Sequence, residues 1–133
     1  LLGGDLLIRY RPVNSPDRRT VSLQIEWTQR ERQRPLTVLK DAGGYAEFVV
    51  QWTPAWTTGI RYEWVDGIPD DDLDPDWISA RQRSTGAITW YPSHFSRVRL
   101  QISRDDPAWR EKPIWAGMLG FEIMVGAHGA HKY

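Results

Sequence analysis

Cysteine is absent from all 133 residues. Its absence excludes a disulfide framework and a thiolate metal site, and fits an oxidising compartment as well as a reducing one. Net charge is missing too, since 17 Lys and Arg offset 17 Asp and Glu; no overall field draws in nucleic acid or an acidic partner. The apolar runs extend only a few residues, so the chain encodes no transmembrane helix. A membrane β-barrel survives that test, because only alternate residues of its strands face lipid. Heptads, amphipathic helical segments and low-complexity tracts are lacking. There is no Ser-His-Asp order, phosphate-cradling Gly loop or isolated carboxylate pair, so neither an enzyme nor a cofactor is expected. The chain opens at Leu1 without Met or signal peptide, which points to a mature product or a piece of a longer protein.

Aromatic residues are abundant instead: eight Trp, five Tyr and three Phe. They suit either the exposed surface of a carbohydrate-binding β-protein or the aromatic girdles that flank the apolar band of an outer-membrane barrel. Position along the strands decides between these.

Period-two alternation runs through the chain and predicts an all-β protein of about seven strands, near 5–12, 20–30, 44–52, 58–65, 82–91, 96–104 and 114–127. The hairpin over 84–106 is the clearest. Val98, Leu100 and Ile102 fall on one face against Arg97, Arg99, Gln101 and Ser103, and Tyr91-Pro92-Ser93-His94-Phe95-Ser96 makes the connection. Elsewhere Leu6, Ile8 and Tyr10 oppose Leu7, Arg9 and Arg11. Val21, Leu23, Ile25 and Trp27 oppose Ser22, Gln24, Glu26 and Thr28. Ala46, Phe48, Val50 and Trp52 oppose Glu47, Val49 and Gln51, and Ile60, Tyr62 and Trp64 oppose Arg61 and Glu63. Trp115, Leu119, Phe121, Ile123 and Val125 oppose Met118, Gly120, Glu122 and Met124.

Between the strands, connections read as alternately short and long. Those at 53–58 and 91–96 are short and that at 12–20 short to moderate, those at 30–44 and 66–80 are long, and that at 105–113 is intermediate. The middle of 30–44 is polar and basic, with Pro35 and a Gly43-Gly44 pair, and reads as a loop with strand extensions open at each end. Short turns on one side and long loops on the other are the habit of an up-and-down outer-membrane barrel. With the C-terminus on the short-turn side, Trp52, Trp56, Trp90, Tyr91 and Tyr133 form one aromatic girdle, and Trp27, Trp64 and Trp115 the other. The faces opposite the apolar ones would then line a polar lumen: Arg9, Arg11, Gln24, Glu26, Glu47, Gln51, Arg61, Glu63, Arg97, Arg99, Gln101 and Glu122. Both signs are present, so the lumen is either ion-paired and narrow or wet and wide. Seven strands leave the N-terminus on the wrong side for an even-stranded barrel, which makes the chain the C-terminal part of a larger one.

The ITWYPSHFSRVRLQISRDD hairpin together with the terminal GFEIMVGAHGAHKY resembles the last strands of Gram-negative outer-membrane transport barrels. It is most similar to zinc-regulated TonB-dependent outer membrane receptors and their porin-like relatives. The matching pieces cover the last third of the chain, and the upstream strands share only the pattern. The resemblance implies a bacterial outer-membrane location and the lipid bilayer and barrel-assembly machinery as partners, Tyr133 being similar to the C-terminal aromatic that machinery reads.

Two cation sites are considered and set aside. His128 and His131, with His94 at the same end, have zinc-compatible spacing, but no carboxylate or Cys completes a tetrahedral set. Asp66, Asp70, Asp71, Asp72, Asp74 and Asp76 fit no EF-hand spacing, and Pro69 and Pro75 suit a plain acidic loop. The expectation is therefore an antiparallel up-and-down transmembrane barrel segment, part of a transport pore or receptor-like channel for small solutes or ions. The competing expectation is a soluble β-sandwich that binds carbohydrate or protein through exposed Trp.

Overall fold

The computed structural model describes residues 1–13, 19–68 and 79–124. Seven strands form one antiparallel sheet in chain order: β1 (Leu2–Tyr10), β2 (Thr20–Gln33), β3 (Val38–Thr53), β4 (Trp56–Val65), β5 (Arg81–Ser93), β6 (Ser96–Pro107) and β7 (Ile114–Ile123). β1 and β7 are the two edges, and no ladder joins them. With seven alternating strands these edges run in the same direction, so they could not close on each other as an antiparallel pair. The architecture is all-β and antiparallel, as the alternation predicts; the sheet is open.

The connection at 30–44 is a correction. β2 and β3 continue as a hairpin to Gln33 and Val38, and the turn is only 34–37, closed by the Arg34 amide on the Thr37 carbonyl at 2.7 Å. Opposite charges meet across that ladder. Arg30 Nη2 lies 2.7 Å from Asp41 Oδ2, and Lys40 Nζ lies 2.8 Å from Glu31 Oε1. Lys40 accordingly holds the Glu31 carboxyl below the usual carboxylate range. A polar, basic composition thus marks a solvated hairpin here, because cross-strand ion pairs stabilise strands as apolar pairs do. The regular alternation of loop lengths fails with it: the 34–37 turn is shorter than the 11–19 connection at the other end.

Smaller differences follow the ladders. β1 stops at Tyr10, before Pro12, and leaves Arg11 just outside the sheet. β6 runs on to Pro107. Turns of two residues, Pro54-Ala55 and His94-Phe95, join β3 to β4 and β5 to β6. For orientation, the end carrying these two turns is called lower, and the end carrying the 34–37 turn upper. The 14–17 turn, the acidic residues Asp70 to Asp76 with Pro69 and Pro75, and Val125, His128, His131 and Tyr133 all lie outside the described residues.

Register aligns every strand's apolar set on one face. One row across the sheet reads Ile8, Leu23, Phe48, Ile60, Gly86, Ile102 and Gly117; the next reads Tyr10, Val21, Val50, Thr58, Ile88, Leu100 and Leu119. A one-residue slip in any ladder would turn that strand's apolar side chains to the opposite face. No second layer covers either face among the described residues. Ile68, 7% exposed, is the one buried large apolar side chain among them, while Ile60 (65%), Phe121 (68%) and Leu119 (74%) stand open. The polar face is the more enclosed. Thr89 and Asp105 are each only 6% exposed, because long guanidinium side chains overlie the small residues of that face.

Candidate functional site

On the apolar face, charge is confined to one end. Among the described strand residues that share it, the charged ones are Glu31, Lys40, Arg104 and Asp106, all at the upper end. One row there holds Trp27, Gly44, Trp64, Gln82 and Asp106, and the next row down holds Arg104 and Trp115, with Glu31 and Lys40 higher up. At the lower end Trp56 faces Trp90 in register, their rings stacked at 6.0 Å and 20°, and Trp52 Nε1 donates to Thr58 Oγ1 at 2.9 Å. From Trp56 to Trp64 is eight residues, about 26 Å along the strand. Between the lower tryptophan row and the row of Arg104 and Trp115 the face carries no charge.

Gly44 has a specific task in the upper row. The Trp64 indole lies across it, and a Cβ there would stand 2.6 Å from Trp64 Cη2 and 2.5 Å from the Glu26 carbonyl oxygen. A strand glycine covered by a neighbouring aromatic ring is a known way to recover the packing that glycine lacks. Gly44→Ala is therefore expected to lower unfolding stability by about 1–3 kcal/mol and to shift tryptophan emission as the ring is displaced. Gly86→Ala, whose added Cβ meets nothing within 4 Å, should leave both readings unchanged.

The polar face is laced by hydrogen bonds between neighbouring strands. Gln24 Nε2 donates to Tyr45 Oη at 2.8 Å, and Tyr45 Oη donates to Glu26 Oε2 at 2.9 Å. Arg61 lays its guanidinium over the Tyr45 ring, 3.7 Å from its centroid, and pairs with Glu63 at 3.0 Å. Across β5 and β6, Asp105 accepts from Arg81 Nε at 2.8 Å, from Arg81 Nη2, and from Arg83 Nη2 at 3.1 Å. Near the lower end Arg97 Nη2 reaches Glu122 Oε2 at 2.6 Å. Arg9 stands opposite Ser22, Glu47 lies between Gln24 and Arg61, Arg99 between Thr89 and Gly120, and Gln101 between Ala87 and Met118.

Tyr91 does not join the lower tryptophan row. It follows Trp90, so its ring turns to the polar side, where it shares a hollow of about 370 Å³ with Arg97 and Glu122. Four participants were not nominated from sequence: Tyr45, Arg81, Arg83 and Asp105. Parity could have found the first three, since Tyr45 precedes Ala46 and Arg81 and Arg83 continue the 85–89 face. Asp105 was assigned to a loop.

Against known proteins, no family model matches and no solved structure matches. The chain is similar to an uncharacterized protein of Aquifex aeolicus (strain VF5), 33% identical over 113 residues, which covers 77% of this chain and 23% of that protein. The chain therefore spans about a quarter of the relative it matches.

Proposed function

We propose that this chain is part of an outer-membrane β-barrel, closed by further strands of the same polypeptide, whose polar face lines a pore or receptor-like channel for small solutes or ions. The observation that carries this reading is the charge-free apolar face bounded by tryptophan rows. Its flat projection is roughly 30 Å across the seven strands by 15 to 20 Å along them, near 500 Å² before side-chain relief is counted, at the upper end of the apolar patches of ordinary soluble monomers. Acyl chains cover such a face without a second protein layer, and the tryptophans take the two water–lipid interfaces. An open sheet is not viable in lipid, because each bare edge leaves unpaired N–H and C=O groups. Two same-direction edges call for an odd number of added antiparallel strands, and the greater length of the Aquifex relative agrees with a longer polypeptide. Insertion would then run through barrel-assembly machinery.

This stretch has no cysteine of its own, so labels can be placed in it once any cysteine elsewhere in the full-length protein is replaced. Single-cysteine variants at each position from 97 to 103, carrying a fluorophore in the full-length protein in lipid vesicles, are expected to alternate. Labels at 98, 100 and 102 should be quenched by a lipid-borne quencher, and those at 97, 99, 101 and 103 by a water-soluble one. Uniform quenching from the aqueous side would remove the membrane reading in favour of a soluble sheet.

A further inference from the structure

The polar face carries an elongated hollow of about 260 Å³ over β4, β5 and β6. It exists because Gly59 and Ala87, neighbours in register, put nothing longer than a methyl group there, while arginines rise on either side. Arg61 and Arg83 line its upper part and Arg99 its lower part, with the Thr85 and Ser103 hydroxyls and the Gln101 amide between them.

The charges in it do not cancel locally. Glu63 is engaged by Arg61 at 3.0 Å, and Arg83 shares Asp105 with Arg81. Arg99 has no ion pair or hydrogen bond among the described residues, and its row neighbours, Thr89 and Gly120, carry no charge. The Nε atoms of Arg61, Arg83 and Arg99 are all enclosed without an acceptor. Glu47 also lines the hollow. It faces Arg61 in register on β3, across the hollow from Arg99 on β6. A half-enclosed guanidinium with no ion pair of its own is an incomplete arrangement. What completes it is a ligand that brings several acceptor oxygens and negative charge.

We propose that this hollow binds a small oxyanion, with Arg99 as its principal anchor and the unused N–H groups of Arg61 and Arg83 at the far end. Guanidinium groups take oxyanions in a two-pronged fashion. At about 260 Å³ the space falls below the 300–1,000 Å³ of sites for drug-sized ligands, which suits a phosphate-sized ion. The inference deepens the channel reading and rests on it for its biological meaning. Anions would dwell beside Arg99 on their way through, held by charge yet released by partial exposure.

Equilibrium dialysis with labelled inorganic phosphate, on the full-length protein in detergent micelles at low salt, tests the site without needing a pore. Saturable binding is expected for the unaltered protein. Arg99→Gln should weaken it tenfold or more, and Arg99→Lys, which keeps the charge but loses the fork, by threefold to tenfold. Arg97→Gln, on a residue already paired with Glu122 outside the hollow, should change it less than threefold. Absence of saturable binding, or equal binding by the Arg99 variants, overturns the site. Should Arg99→Gln fail to fold, the lysine variant decides alone. Loss of phosphate binding beside an intact quenching alternation would remove only the oxyanion site; the reverse pair of results would remove only the membrane reading.

Discussion

Ile60→Arg is expected to lower the stability of the lipid-embedded protein by about 2–4 kcal/mol, the range for an arginine at the midplane of a lipid-facing barrel surface. Ile60 is four residues from both Trp56 and Trp64 on the same strand, so it marks the middle of the span that these tryptophans bound on β4. The dependence on depth is as informative as the size. Ser96→Arg, beyond the lower tryptophan row, should cost no more than about 1 kcal/mol, because there the guanidinium reaches the interface. Denaturant-dependent folding into phospholipid vesicles measures both. A cost at Ile60 within about 0.5 kcal/mol, the ordinary figure for a water-exposed site, would mean that water and not lipid touches this face.

Asp105→Ala should be the most damaging change on the polar face. One carboxylate, 8% exposed, answers two guanidinium groups that are 34% and 42% exposed. Removing it leaves two cations facing each other at the join between β5 and β6. Breaking a buried pair costs about 3–5 kcal/mol; the partial exposure of both arginines lets water recover some of that, so about 2–3 kcal/mol is expected. Asp105→Asn, which keeps one acceptor oxygen, should cost about half as much. Arg104→Ala is the comparison: its pair with Asp106 is open to solvent on both sides, 49% and 40%, and should matter by no more than about 0.5 kcal/mol. If Asp105→Ala is as mild as Arg104→Ala in urea titrations, the carboxylate does not tie these strands together.

The allocation of side chains to two faces was readable from the chain alone. Leu6, Ile25, Phe48, Ile60, Leu100 and Phe121 could be placed together before any pairing was known, because successive side chains of an extended chain point in opposite directions. The extent of the strands was less readable. Arg30 to Lys40 looks like a loop to any rule based on apolar content, yet it is a hairpin held by Arg30–Asp41 and Glu31–Lys40. Such pairs are recognised only once the register is known. Gly43-Gly44 misled for a related reason: a glycine pair signals a turn, but Gly44 is kept free of a side chain by the Trp64 indole, twenty residues away along the chain.

The sequence by itself therefore determined the class of structure and the sidedness of each strand, both of which follow from local stereochemistry. Partnership was decided only by the tertiary structure. Which arginine meets a carboxylate, which one does not, and which glycine carries a tryptophan depend on residues of different strands sharing a row. That sharing is imposed by the whole set of backbone ladders acting together.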